Sequence, residues 1–375
     1  MRRKPEHVAF IMFFMGRARL RRRAAAAAVL LACFVGAADA SGQNQFDRRS
    51  QERLDEARRR ETEALLSLAD AAMSGRASSD FSIAWSHDFF KAQTGTFVPF
   101  TVTIDRSSVS AANGLMYVRA ARRDAQGPLD PGSPVRYPFD IIFPVNFSGP
   151  AGQPLRITRG FAVGPGDYDV YVALRERSAD PLDSERRLKG AVLKQPLTVP
   201  DFWTGELTTS SIMLADRIDE LGIPVTGDDV LERPYVIGSN EVHRAAVTAF
   251  RQDRELIVVF LIYNPTVSAQ KSFDVEVDYH LFRKDGASQG GNAVAGGDHP
   301  PARAGEQYIT RTTPQRFRPG LMGAGFDPAV GPILAGQGIL LSSFQEGEYR
   351  LGITVTDLMS RKSLSRDVTF TVVGS

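Results

Sequence analysis

The sequence predicts an all-β chain built as two tandem sandwiches, and three observations carry the prediction. One stretch occurs twice: Gly166-Asp167-Tyr168-Asp169-Val170-Tyr171-Val172 returns, in the same chemical sense, as Gly347-Glu348-Tyr349-Arg350-Leu351-Gly352-Ile353. Each copy is a turn glycine, an acid, a tyrosine and then a polar–apolar alternation, the period of a strand with one buried face. Short alternating runs fill the chain from residue 81 onward, separated by turn residues at roughly the 8- to 12-residue spacing of sandwich strands. No run between them is long and periodic enough for a crossover helix, which argues against a parallel α/β sheet. A tyrosine two residues before a core position of strand F, its hydroxyl tied back to the preceding corner, belongs to the immunoglobulin-type sandwich. Tyr168 with Val170 and Tyr349 with Leu351 fit that slot. The predicted class is therefore all-β, two tandem immunoglobulin-like β-sandwiches preceded by a helical spacer. Valine and leucine stand where such sandwiches often place a cysteine, so packing alone would hold these.

Residues 1–40 read as an export signal. Arg17, Arg19 and three arginines at 21–23 precede an apolar run over 24–38 and the triplet Ala38-Asp39-Ala40, the charged, hydrophobic and cleavage parts of a secretory leader cut after Ala40. The run falls short of the ~20 residues that span a bilayer, so no transmembrane span is expected in the mature chain. Cys33, the one cysteine, follows Leu30-Leu31-Ala32; this loosely resembles a lipobox and gives a second, lipid-anchored reading. Either way the mature chain has no cysteine pair and no internal disulfide. The leader also explains the basic pI. It holds eight of the 45 basic and two of the 43 acidic residues, leaving 37 against 41, a net charge of −4. That balance removes the argument for a nucleic-acid partner.

Residues 41–80 form the spacer, with a helix expected over 46–73. Its first half is densely charged with both signs, which suits a solvated helix supported by pairs four residues apart. Leu65, Leu68, Ala69 and Ala72 gather on one face of the second half, a stripe suited to docking on the first sandwich. A coiled coil needs a longer seam than this. The first sandwich covers 81–200, with strands expected over 97–104, 115–121, 137–145, 155–157, 168–175 and 188–199. Pro138 and Pro144 demote the third of these to an edge or bulged strand. Phe202 and Trp203 mark the joint, both expected to pack at the interface. The second sandwich, 206–375, has strands expected over 207–214, 235–237, 245–250, 256–263, 273–282, 308–312, 339–344, 349–356 and 363–373.

The halves superpose in pattern. Residues 255–286 match 96–127 without a gap at an offset of 159, which puts Leu256, Val258 and Ile262 on Phe97, Pro99 and Thr103. The tyrosine motifs lie 181 apart. The difference fits a Gly-, Ala- and Pro-rich insertion near 287–307 in the second copy.

Catalytic and metal chemistry find little support. His87, His243, His280 and His299 are scattered, with no zinc-type spacing around them, and His280 reads as a surface strand residue. Nucleophile-elbow and phosphate-loop patterns are absent. Asp180, Asp183 and Glu185, and Asp228, Asp229 and Glu232, are acid-rich loops, but neither follows the calcium-loop pattern; acids in exposed loops are usually solvated. No catalytic residue, metal or cofactor is assigned. The insertion is the candidate binding loop through Asp298, His299 and Arg303, because sandwich scaffolds carry function on loops; its glycines equally suit a flexible linker.

The closing hairpin, Leu341-Ser342-Ser343-Phe344-Gln345-Glu346-Gly347-Glu348-Tyr349-Arg350-Leu351 with Val355-Thr356-Asp357 and Val368-Thr369-Phe370-Thr371-Val372, resembles that of uncharacterised exported bacterial proteins. These are related to the GWxTD-domain and von Willebrand A-related secreted proteins of acidobacterial type. The GWxTD motif itself and a D-x-S-x-S adhesion motif are missing here, so the resemblance implies an exported Ig-like accessory module and no site residue. The expected function is a non-enzymatic binding or scaffolding protein of the bacterial cell envelope, periplasmic or extracellular, with another envelope protein or a cell-surface polymer as partner. A carbohydrate-binding or accessory component of an extracellular enzyme system is the alternative. A two-sandwich chaperone would need basic residues in the inter-sandwich cleft, and the Asp201-Phe202-Trp203 joint offers none.

Overall fold

The computed structural model describes residues 40–123, 137–150, 152–180, 187–223, 225–227, 229–284, 300–322, 326–328 and 331–374, with side chains from residue 48 onward. The leader expected over 1–40 lies outside them apart from Ala40. Helix α1 (Ala40–Met73) leads into β1 (Ala84–His87), β2 (Phe90–Lys91), β3 (Thr96–Ile104), β4 (Asn113–Arg122), β5 (Phe139–Asn146), β6 (Leu155–Val163), β7 (Gly166–Arg177) and β8 (Gly190–Val199). The second half holds β9 (Thr208–Thr209), β10 (Met213–Glu220), the short helix α2 (Asp229–Glu232), β11 (Val236–Ile237), β12 (Asn240–Arg244) and β13 (Ala249–Arg251). It continues with β14 (Glu255–Tyr263), β15 (Val275–Lys284), β16 (Glu306–Arg311), β17 (Gln315–Phe317), β18 (Ile333–Leu340), β19 (Gly347–Asp357) and β20 (Lys362–Val373). The chain is mostly β, and among the described residues no helix is long and apolar enough to cross a membrane.

Four sheets pack as two pairs. In the first pair, β3 is flanked by β6 on one side and by β1 and β2 in succession on the other. It faces the sheet ordered β5-β4-β7-β8, and Val98, Phe100 and Val102 meet Met116, Val118, Val170 and Val172 in one core. β5, with Pro144, is an edge strand as expected, where a missing N–H costs no ladder bond. The second pair opposes the sheet β11-β12-β10-β14-β18 to the sheet β13-β20-β19-β15-β16, with β17 also on β15. Val258, Phe260 and Ile262 meet Val277, Tyr279, Leu351 and Ile353 there.

The first pair is buried on a second face. Leu65 and Ala69 of α1 lie fully buried against Tyr117 and Ala173, on the outer side of β4 and β7. This is why β7 reads as a continuous apolar run rather than a strict alternation. Arg119 reaches Asp70 at 2.7 Å, with its guanidinium over the Tyr137 ring, and Arg177 reaches Glu61 at 3.0 Å. The charged first half of α1 is laced by Arg59–Glu56 and Arg60–Glu56 pairs at 2.6 and 3.0 Å.

The tyrosines behave as their position predicts. Tyr168 donates to the Gly164 carbonyl at 2.9 Å and Tyr349 to that of Gln345 at 2.7 Å, each four residues upstream. The preceding glycines, Gly166 and Gly347, have φ of 135° and 145°, a region L side chains rarely enter. Arg122 and Arg283, the cross-strand partners of these tyrosines, stand where a Cβ on either glycine would go.

The gapless superposition fails by one residue. Leu256, Val258, Phe260 and Ile262 face the second core, whereas Phe97, Pro99 and Thr103, the residues matched to them, lie on the opposite side of β3 from Val98, Phe100 and Val102. Strand period is two, so a one-residue slip inverts every side chain. An offset of 160 aligns Val98 with Val258, Phe100 with Phe260 and Val102 with Ile262, while the Arg122/Arg283 pair requires 161. The second half also carries a larger insertion: residues 92–95 separate β2 from β3, but 221–254 separate β10 from β14. Two element boundaries move as well. The strand expected over 339–344 is β18, displaced toward the N-terminus, followed by a 3-10 turn at Leu341–Ser343. The run expected at 245–250 gives way to β12 and β13 on either side of a bend.

Candidate functional site at the seam between the sandwiches

Pro99 is the local cause of the seam. It sits mid-strand in β3 without an N–H, and the neighbouring strand breaks opposite it: β1 ends with His87 across from Phe100, and β2 begins with Phe90 across from Phe97. Asp88, in the break, donates its backbone N–H to the Pro99 carbonyl at 2.9 Å. Its carboxylate is directed out of the first sandwich and into the second. There Tyr235 donates to Oδ2 at 2.7 Å and Arg244 Nε lies 2.8 Å away, with Asp88 only 3 % exposed. Burial pushes the Asp88 carboxyl above its usual range, against the pull of Arg244 and Tyr235, and burial also pushes the Tyr235 phenol up. Beside it, Trp85 stacks on Phe100 and donates Nε1–H to His87 Nδ1 at 2.9 Å. Burial holds the His87 imidazole below its ordinary value.

A third apolar core surrounds these polar groups. Phe90 of the first sandwich packs with Phe202, Met213, Tyr235, Val259, Leu261 and Tyr263. The strand break of the second half, at residues 210–212 between β9 and β10, meets the first one directly: Phe89 N–H donates to Ser211 Oγ at 2.9 Å and Ser211 N–H to the Phe89 carbonyl at 3.1 Å. Asn264, with φ 55°, accepts from Lys91 Nζ and donates to the Phe202 carbonyl. Gly160 lets the Pro234 loop approach, because a Cβ there would lie 2.4 Å from the Phe97 ring and 3.0 Å from Pro234. Phe202 is buried as expected. Trp203 is not: it is 53 % exposed, lying under Lys91 Nζ and donating to the Gly95 carbonyl.

The 221–254 insertion, with the end of β10, closes over the outer face of β3 and β6 and leaves a cleft of about 340 Å³. Thr101, Arg156 and Thr158 line it from the first sandwich, and Asp216, Arg217, Arg233, Tyr235, Glu241 and Arg244 from the second. Asp216 is the extra residue of a bulge, where the β10–β12 register shifts between Ala215 and Arg217. Bulges re-aim side chains at sites of this kind. The basic residues that the joint itself lacks are thus present in the cleft, supplied by segments far apart in sequence. A second hollow of about 410 Å³ lies beside Pro200, Ser210 and Asp367.

Most of the sequence-predicted loop is not among the described residues. Asp298 and His299 lie outside the described residues. Arg303 is bound into an ionic network on the second sandwich: it pairs with Asp367, and its N–H donates to Glu306 at 3.0 Å. The hub is Arg350, 5 % exposed, bidentate to Glu306 at 2.7 and 2.6 Å, bonded to Asp367 at 2.8 Å and stacked 4.0 Å over Phe282. Arg303 therefore anchors the return of the insertion, with its side chain 62 % exposed. His280, expected at the surface, is 4 % exposed with its ring beside Tyr308. Of the acid loops, Asp183, Glu185 and Asp228 lie outside the described residues; Asp229 opens α2, and Glu232 is 3.7 Å from Arg159. Among the described residues no three His, Cys, Asp or Glu converge as metal ligands.

No family model matches the chain, and no curated protein matches it. Solved structures do. Escherichia coli alpha-2-macroglobulin activated by porcine elastase is similar over 80 % of this chain and 24 % of its own, at 11 % identity and a TM-score of 0.22. Red sea bream transglutaminase covers 81 % of this chain and 33 % of its own, at 11 % identity and 0.19. Salmonella alpha-2-macroglobulin reacted with methylamine covers 77 % and 16 %, at 12 % identity and 0.18. The chain thus spans a third or less of those proteins' length, and TM-scores near 0.2 establish no common fold.

Proposed function

We propose that the protein is an exported, non-enzymatic binding or scaffolding component of the bacterial cell envelope, made of two immunoglobulin-like sandwiches with a helical spacer on the first. The observation that carries this reading is the seam. A third apolar core and the buried Asp88–Tyr235–Arg244 cluster fix the sandwiches in one relation, so the cleft between them is preorganised and loses little entropy on engaging a partner. The corner tyrosines support the immunoglobulin-like class, and the leader at 1–40 together with the closing-hairpin resemblance supports the envelope address. The test is capture from envelope fractions by the full chain, beside a deletion of residues 287–305 and beside Gly160→Leu, which drives a side chain into the seam. Specific capture of an envelope protein or polymer that Gly160→Leu weakens supports the reading. Capture of nothing by the intact chain overturns it.

A further inference from the structure

We infer that the inter-sandwich cleft binds an acidic sugar, a hydroxyl-rich ring carrying a carboxylate or phosphate; this deepens the binding reading above and rests on it. Most charges around the cavity are already paired. Arg233 is committed to Glu241 at 2.6 Å, Arg217 and His243 to Asp219 at 3.1 and 2.7 Å, and Arg159 to two backbone carbonyls and Glu232. What remains among the described residues is specific. Arg156 on β6 is exposed and makes no hydrogen bond or ion pair. Arg244 is 26 % exposed; its Nε lies 2.8 Å from Asp88 Oδ2 as an ion pair without hydrogen-bond alignment, Nη1 reaches only Ser86 Oγ at 3.5 Å, and Nη2 has no acceptor. Asp216, raised on its bulge, is likewise unbonded.

These leftovers describe a ligand. Two guanidinium groups, one from each sandwich, offer fork-shaped donor sets that match the paired oxygens of a carboxylate or phosphate. Because the surrounding charges are otherwise balanced, a bare anion gains little from the overall field and meets the Asp216 carboxylate with no cation paired to it. A ligand that also presents hydroxyl donors turns Asp216 into an acceptor. Thr101 and Thr158, bonded to each other at 3.0 Å, keep one hydroxyl hydrogen between them to offer in return. The cavity, about 340 Å³, lies at the small end of the size range of small-molecule sites, roughly 300–1,000 Å³, which suits one sugar unit at a time.

Calorimetric titration of the full chain with glucuronate, glucose 6-phosphate, glucose and inorganic phosphate tests the assignment. The expected result is binding of at least one acidic sugar about tenfold tighter than glucose or inorganic phosphate, weakening as salt rises. The two acidic sugars separate carboxylate from phosphate as the preferred oxyanion. Arg156→Gln should cost about tenfold without moving the melting temperature, since Arg156 is exposed and unpaired. Asp216→Asn should narrow the preference for the acidic sugar over inorganic phosphate. Equal binding of glucose, equal binding of inorganic phosphate, no binding at all, or an unchanged Arg156→Gln variant overturns the site. Envelope capture that persists in Arg156→Gln while no sugar binds would overturn this inference and leave the proposed function standing.

Discussion

A single hydroxyl closes each corner, and its cost can be measured. Tyr168 and Tyr349 are both 1 % exposed and bonded to upstream carbonyls, so Tyr→Phe leaves a carbonyl without its partner. Each substitution should lower stability by about 1–3 kcal/mol in urea unfolding, with the slope unchanged. The tyrosines were legible because the motif recurs. Their arginine partners, Arg122 and Arg283, were not, because the contact crosses strands and appears only once the register is known. His87 sets a pH dependence whose sign follows from its environment. Burial holds its pKa below 6.5, and Trp85 fills the Nδ1 lone pair, so the folded state favours the neutral ring. The unfolded state protonates first as pH falls through 6.5, so stability drops below that pH, until the folded ring also protonates, and is recovered above it. Asp88, whose carboxyl burial pushes above its usual range, acts with the opposite sign, adding stability as pH falls through its folded-state pKa. The His87 contribution is therefore the difference between the wild type and His87→Gln in unfolding midpoints at pH 7 and pH 5.5. Equal pH responses in the two proteins would remove the argument.

Among the elements, α1 was read almost whole, including the face that docks, because a solvated helix with one apolar stripe leaves a periodic trace. Leu65→Ala should cost about 2–5 kcal/mol and raise hydrogen exchange in the last turns of α1 and across the outer face of β7 that it covers. Exchange rising equally in β19, which has no helix over it, would mean the loss is not local. Two features of the elements were hidden for definable reasons. The described elements of the 221–254 insertion are a four-residue helix and strands of two to five residues, too short for any period to register. β18 contains Gly336 and Gly338, which lower strand propensity and masked its true start. The one-residue slip between β3 and β14 has its cause in burial: Phe97 and Thr103 are also partly covered, Phe97 by the third core. With both faces of the strand apolar, alternation no longer says which face is inward.

For the molecule as a whole, the seam decides whether the halves act as one body, and sequence could not show it: Asp88, Gly160, Tyr235 and Arg244 are brought together across more than a hundred residues. Two sandwiches joined only by a linker would unfold independently. Here the third core couples them, since ten buried side chains, from Phe90 to Tyr263, lose their cover if either half opens. The intact protein should therefore show a single calorimetric transition, with its van't Hoff enthalpy matching the whole chain rather than half of it. Gly160→Leu should divide that transition, because the added side chain meets the Phe97 ring and Pro234 from its first carbon while lying outside both sandwich cores. Tyr235→Phe gives an independent check. It keeps the packing of the third core but removes the donor to a buried carboxylate, which should weaken the coupling by about 1–3 kcal/mol without separating the peaks fully. If Gly160→Leu unfolds in one transition at an unchanged enthalpy, the coupling does not run through the seam, and the fixed cleft on which the proposed binding depends would lose its physical basis.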